Sequence, residues 1–251
     1  MGQPRLFEKI YLGIAAGITP TVLQEISNED LRVALVKLHA RPFHASERAK
    51  AVNSLKTVVH NQRVAASERG IAIQHLVKAV RDRNPEVSSA ALTAIEGLLN
   101  KGIIVPDALS AVAGVLDRSW PTPKTWAKYR DVNEKAARIL SLLGRTDHKA
   151  AIEAIPHLVR SLSTLNNFLW APAARALAEI NHPEAVRALF TVKAQSRLHP
   201  GREEIVMGQL TKLSKNTEAM ARIANLANAH YRNDPFMQVS LESLQKMGAI
   251  S

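Results

Sequence analysis

Apolar residues recur every three or four positions along most of this chain, and turn-forming residues separate the apolar stretches. Between Pro85 and Leu99 the apolar side chains follow the spacing of one face of an α-helix. The windows 132–144 and 152–162 show the same period. Breakers such as Asn181-His182-Pro183 lie between these windows, not inside them. The pattern argues against a sheet protein and predicts an all-α fold.

The spacing predicts thirteen helices, and the composition agrees with them. The sequence contains 37 alanines and 28 leucines, the two strongest apolar helix formers, whereas aromatic residues make up only 4% of it. We expect Asn84 to cap the helix that follows it and Gly144 to close the helix that precedes it. The predicted helices lie near residues 5–16, 20–38, 45–59, 66–82, 85–100, 106–117, 126–143, 148–162, 168–180, 183–195, 201–214, 217–230 and 234–247.

Comparable helices begin 32 to 47 residues apart, which is typical of stacked two-helix repeats. The segments Asn84–Ile95, Ala171–Ile180 and Asp234–Leu244 each resemble the first helix of a HEAT repeat, and His182–Leu189 resembles a second helix. The resemblance covers about residues 45–251. It implies a right-handed, armadillo-like α-solenoid of about five to six HEAT-like helical hairpins.

The resemblance also sets expectations for domains and function. Residues 1–44 are expected to form a degenerate N-terminal helical pair or cap on a repeat array over 45–251, as a single continuous domain. HEAT-like arrays are mostly scaffolds and adaptors, with a minority of enzymes. The segment 118–128 lengthens one repeat, and insertions of this kind are expected at a loop edge.

Motifs that would indicate an enzyme are missing from the sequence. It contains no glycine-rich phosphate loop, no nucleophile elbow, no His-Glu-x-x-His pair and no cysteine. We therefore predict no catalytic residue, no metal and no cofactor, and favour a non-catalytic protein while the enzymatic alternative stays open. Histidines near helix ends are expected to act as caps or as favourable charges there, namely His60, His148, His182 and His230.

The segment from 118 to 130 combines aromatic and cationic side chains. It holds two of the three tryptophans, two prolines and four cations, and no acid. Such a segment anchors a protein partner or stacks on nucleic acid, whereas the structural alternative is that both tryptophans pack between repeats. The predicted partner-binding residues are Arg118, Trp120, Lys124, Trp126, Lys128, Tyr129 and Arg130.

The formal net charge of +11 is spread along the whole chain. Residues 1–65, 66–130, 131–190 and 191–251 carry +4, +3, +1 and +3. A solenoid aligns equivalent positions of successive repeats, so scattered cations can still form one basic stripe. The candidates for this stripe are Arg41, Arg48, Lys50, Arg63, Arg69, Arg81 and Arg83.

These features favour a non-catalytic scaffold or adaptor that binds a protein or peptide through the concave surface of the solenoid and the loop from Arg118 to Arg130. Nucleic-acid binding is the alternative, and a HEAT-like DNA glycosylase using Asp117 with Trp120 and Trp126, or a chromophore lyase, is a more remote one. The apolar stripe of the last helix, near 234–247, has no following helix to cover it, which leaves partial burial, association of two chains through this helix and a longer repeat array as alternatives.

The sequence predicts no membrane contact. The apolar run Ile10–Ile18 is too short to span a bilayer, although Arg5 and Lys9 before it leave a signal peptide as an alternative. We expect a cytoplasmic protein.

Overall fold

The computed structural model describes residues 23, 25–39, 44–117, 129–146, 148–164, 167–195 and 199–249. Among these residues there are twelve α-helices, one 3₁₀ helix at Asn167–Leu169 and no strand. The all-α prediction is therefore confirmed. None of the described helices has the length and apolar character needed to cross a bilayer. The helices are α1 (Glu29–His39), α2 (Ala45–His60), α3 (Ala66–Val80), α4 (Pro85–Leu99), α5 (Ala108–Leu116), α6 (Arg130–Gly144), α7 (His148–Ser163), α8 (Trp170–Ile180), α9 (Pro183–Gln195), α10 (Pro200–Ser214), α11 (Thr217–His230) and α12 (Pro235–Ala249).

The helices from residue 45 onward lie where the apolar period predicts them. The prediction of one helix over 20–38 is wrong at residues 26–28, which are not helical. A new helix begins there because Asn28 caps α1, its Oδ1 accepting the Leu31 N–H at 2.8 Å. The Glu68 carboxylate also accepts the N–H groups of Ser27 and Asn28 at 2.7 and 2.9 Å. The predicted helix over 5–16 lies outside the described residues.

The chain divides into two compact units, residues 1–111 and 112–251. The boundary falls within α5. The sequence-based division into a cap over 1–44 and an array over 45–251, forming a single domain, stays a prediction.

In the first unit, α2 packs against α1, α3 and α4, and α3 also packs against α4. Leucines at helical spacing supply the interior, among them Leu55, Leu76 and Leu92, none of which is exposed. As predicted, Asn84 caps α4: its Oδ1 accepts the Glu86 N–H at 2.9 Å. The helices of this unit thus pack together through buried leucines.

In the second unit, α6 packs against α7 and α8, α8 packs against α9 and α10, and α12 packs against α9 and α10. Gly144 ends α6 as predicted, but it does so without a left-handed cap, since the capping residue Arg145 is right-handed with φ −81°. A Cβ at Gly144 would lie 3.0 Å from the Ile180 side chain. The glycine is therefore explained by the close approach of α6 and α8.

Candidate functional site

One face of α3 lines a continuous groove in the first unit. Two cavities of about 750 and 640 Å³ adjoin along this helix and share Gly70 and Ile73 among their lining residues. The opposite wall is the segment from Lys101 to Ala111, and the end of α2 closes one side. We refer to this feature, between α3 and residues 101–111, as the α3 groove.

The loop after α4 forms the outer wall of the α3 groove. Gly102, with φ 71°, ends α4, and the N–H of Ile103 donates to the carbonyl of Leu98 at 3.0 Å. Within this loop Val105 is buried, whereas Ile104 is 83% exposed. Asp107, with φ 58°, then turns the chain into α5. The loop therefore keeps one apolar side chain inside and holds Ile104 at the lip of the groove.

The floor of the α3 groove is apolar and open. Ile73 and Val77 lie three and seven residues after Gly70, so the three positions share one face of α3. Both side chains are partly exposed to solvent. A Cβ built at Gly70 meets no atom within 4 Å, so the floor has unfilled space at this position.

Cations stand at both ends of the α3 groove. Arg69 and Lys101 line one end, and Lys78 and Arg81 line the other. Asp107 is the one acid among the described residues that line it. The groove thus combines an apolar floor with four cations and a single carboxylate.

His60 also lines the end of the α3 groove that contains Arg69 and Lys101. Burial lowers the pKa of His60, and the positive charges of Lys101 and Lys56 lower it further. Its Nε2 has no hydrogen-bond partner among the described residues. Near neutral pH this histidine is therefore an uncharged polar group, and the lysine and the arginine provide the charge at this end.

Of the residues that were predicted to form one basic stripe, the described ones lie in several separate parts of the first unit. Arg69 and Arg81 both line the α3 groove, where Arg81 donates to Ser110 Oγ at 3.2 Å. Arg48 instead forms an ion pair with Asp82. The remaining predicted members lie elsewhere: Lys50 lines a separate groove between α1 and α2, Arg63 and Arg83 are exposed in turns, and Arg41 lies outside the described residues.

Most of the predicted partner-binding segment, residues 118–128 with Arg118, Trp120, Lys124, Trp126 and Lys128, lies outside the described residues. Tyr129 is buried with 7% of its surface exposed, so it offers little area to a partner. Arg130 begins α6, and its guanidinium lies 5.8 Å from the centroid of the Phe168 ring. The structure therefore describes only the end of this segment, as a buried tyrosine and an arginine over an aromatic ring.

Asp117, just before that segment, has partners on both carboxylate oxygens. His157 Nδ1 lies 2.9 Å from Oδ2, and Arg160 lies 2.7 Å from Oδ1. Both partners come from α7, so the end of α5 is fixed to that helix. This arrangement anchors the chain where residues 118–128 begin.

No protein-family model matches this chain, and no curated protein matches it significantly. The function is therefore argued from the geometry of the chain itself.

Sequence reasoning missed a histidine cluster in the second unit. His182 Nδ1 accepts the Glu184 N–H at 3.1 Å, so its proton is on Nε2, which donates to His148 Nδ1 at 2.8 Å. The His230 ring stacks on His148 with centroids 4.3 Å apart. Burial, together with the neighbouring charges of His148 and His230, lowers the pKa of His182 to about 4. His182 caps α9 as predicted, but the meeting of three histidines has no local signal in the sequence.

The first unit contains a similar histidine pair. His39 Nε2 and His75 Nδ1 are 2.8 Å apart. Burial, followed by the charge of His39, lowers the pKa of His75 to about 4. Within the described part of the chain, no group of three or more histidines and acids is arranged to hold a metal ion. We therefore regard the buried His75 and His182 as uncharged polar groups near neutral pH.

Proposed function

We propose that this protein is a non-catalytic binding scaffold of HEAT-like fold, a right-handed α-solenoid whose partner is another protein. Two observations support stacked helical pairs. In each unit a helix packs against the next helix and against the one after it, as α2 does with α3 and α4, and α6 with α7 and α8. The likeness of Asn84–Ile95 and Ala171–Ile180 to HEAT-repeat helices supports the same arrangement.

The α3 groove is the observation that carries the choice of a protein partner. Ile104 at its lip is the most exposed large apolar side chain in the described part of the chain. Partly exposed Ile73 and Val77 continue this apolar surface along the floor. Contiguous apolar surface rimmed by polar groups is typical of a protein interface, because water contact with it is unfavourable until a partner covers it.

Affinity purification with three matched baits tests this proposal. Wild type, Ile104→Asp and Val239→Asp are used, since Val239 on α12 is also exposed, at 61%, but lies in the second unit. We expect a partner protein that copurifies with wild type and Val239→Asp and is lost with Ile104→Asp. An identical set of proteins on all three baits would contradict the proposal.

Nucleic acid is the second candidate partner, because Arg69, Lys78, Arg81 and Lys101 rim the same groove. This alternative predicts binding of duplex or single-stranded probes at low salt that falls steeply as salt is added. The absence of binding at low salt would remove it. A second contact through residues 118–130, a cytoplasmic location and association through α12 also belong to the scaffold proposal.

A further inference from the structure

We propose that the α3 groove binds an amphipathic α-helix of the partner that carries acidic residues at both ends of its apolar face. This inference rests on the proposed function and adds the conformation and the charge of the bound segment.

The walls favour a helical occupant. One wall is α3, whose backbone N–H and carbonyl groups are bonded within the helix, so the groove offers side chains and no free strand edge for the partner to pair with. A peptide lying on these side chains must satisfy its own backbone groups, which a helix does and an extended strand does not. Lining residues of α3 run from Ala66 to Lys78, with Arg81 just beyond the helix. This length, roughly 22 Å, corresponds to a partner helix of about 15 residues.

The floor sets the pattern of apolar anchors. Ile73, Val77 and Ile104 present apolar surface, and the space over Gly70 admits an additional side chain. A helix lying along this floor contacts it with every third or fourth residue. The bound segment therefore has large aliphatic or aromatic residues at positions i, i+3 or i+4, and i+7.

The charges at the rim of the α3 groove determine which charges the bound helix should carry. Arg69 and Lys101 at one end, and Lys78 and Arg81 at the other, face a partner with only Asp107 as a lining acid. Carboxylates of the partner near both ends of its apolar face meet opposite charges there, whereas lysines and arginines meet like charges. An acidic helix is therefore favoured over a basic one.

Selection from a displayed library of random 15-residue peptides, with the full chain as bait, tests the inference. We expect selected peptides to share apolar residues at helical spacing flanked by aspartate or glutamate. The tightest of them, fluorescently labelled, is then titrated with each variant by anisotropy. A proline at the centre of this peptide is expected to weaken binding at least tenfold, because it breaks the helix.

Gly70→Leu is the informative variant. A Cβ at this position meets no atom within 4 Å, so the leucine side chain begins in open space and extends into the groove. We expect at least a tenfold loss of affinity for the selected peptide. The matched control is Gly208→Leu on α10, where a Cβ also meets nothing within 4 Å. The affinity of this variant for the selected peptide should equal that of wild type. Circular dichroism and thermal melting of both variants check that each remains folded.

The charge of the rim is tested by a second pair of variants. Lys101→Glu is expected to weaken binding of the acidic peptide about tenfold, whereas Lys50→Glu makes the same charge change in a different groove and should leave it unchanged. Equal effects of the two variants would mean that only net charge matters, and that the groove is not the binding site.

Three further outcomes overturn the inference: no selected peptide, selection of basic or proline-rich peptides, or unchanged affinity of Gly70→Leu. None of them affects the proposed function if a partner protein is still lost with Ile104→Asp. Conversely, if no cellular protein depends on Ile104 although acidic helices bind the groove, the proposed function fails while the peptide specificity stands.

Discussion

The two units both expose cations in a groove, yet only one of these grooves has an apolar floor. In the second unit, a cavity of about 340 Å³ is lined by Arg145, Arg175 and Lys212 together with Glu179 and other mostly polar residues. Glu179 there accepts a hydrogen bond from Ser141 Oγ at 3.1 Å. In the α3 groove the cations stand beside exposed aliphatic side chains. Positive charge is thus common to both grooves, and uncovered apolar surface beside the charge distinguishes the α3 groove.

The largest expected losses of stability come from substitutions inside the units, and a substitution at the lip of the groove should cost far less. Leu76→Ala in the first unit and Leu177→Ala in the second should each lower the free energy of unfolding by about 2–5 kcal/mol, because both leucines are fully buried. Ile104→Ala should lower it by less than about 0.5 kcal/mol, because Ile104 is 83% exposed. Urea unfolding measures all three. If Ile104→Ala costs as much as Leu76→Ala, the lip is part of the core and the groove is closed in solution.

Acid should destabilise both units through their buried histidines. The pKa values of His75 and His182 are lowered to about 4, so between pH 6.5 and 4 the unfolded chain binds protons that the native chain does not. The free energy of unfolding is therefore highest above pH 6.5 and decreases as the pH falls from 6.5 towards 4. From pH 7.5 to 5 we expect a loss of about 2 kcal/mol for each histidine, measured by urea unfolding at the two pH values.

Single substitutions assign this pH dependence to its unit. His75→Gln should remove the part that belongs to the first unit, and His182→Gln the part that belongs to the second. His44→Gln, which removes an exposed histidine, should leave the dependence as it is in wild type. Equal pH dependence in all four proteins would show that neither buried pair is responsible.

Removal of a helix cap should cause a smaller loss of stability, and the loss should be equal in the two units. Asn84 Oδ1 accepts the Glu86 N–H at 2.9 Å in the first unit, and Asn216 Oδ1 accepts the Ala219 N–H at 3.0 Å in the second. Each asparagine replaced by alanine should cost about 1 kcal/mol, as measured by thermal melting. Replacement by aspartate keeps the acceptor and should cost much less. A large loss from only one alanine variant would mean that this asparagine does more than cap its helix.

The smallest effect is a gain. Gly70→Ala and Gly208→Ala each add a methyl group in open space within a helix, so both should stabilise the protein by about 0.5–1 kcal/mol. Melting temperatures should rise for both variants. A fall for Gly70→Ala alone would show that the floor of the α3 groove is occupied in the free protein.

The helices were predictable because each buries one face, and an apolar period of three to four residues follows directly from that. The interruption of the predicted helix 20–38 at residues 26–28 was not predictable, because Glu68, distant in sequence, binds the N–H groups of Ser27 and Asn28. The sequence also gave no sign of the α3 groove. Its wall depends on a left-handed conformation at Asp107, a residue type that does not require it.

The candidate site differed from the predicted one for a related reason. The scattered cations were predicted to form one basic stripe, yet Arg48 forms an ion pair with Asp82, and Arg69 and Arg81 line the α3 groove. Ion pairing between distant segments and the exposure of Ile104 are properties of the packed chain. Neither can be derived from the spacing of residues along the sequence.

The missing side chain at Gly70 has a practical consequence. The sequence contains no cysteine, so a cysteine introduced at Gly70 would be the single thiol of the whole chain. A Cβ there meets nothing within 4 Å, so an attached environment-sensitive dye would begin in solvent and be covered when a ligand enters. Binding of a ligand to the α3 groove would therefore change the signal of this dye. Any candidate ligand can then be titrated without being labelled.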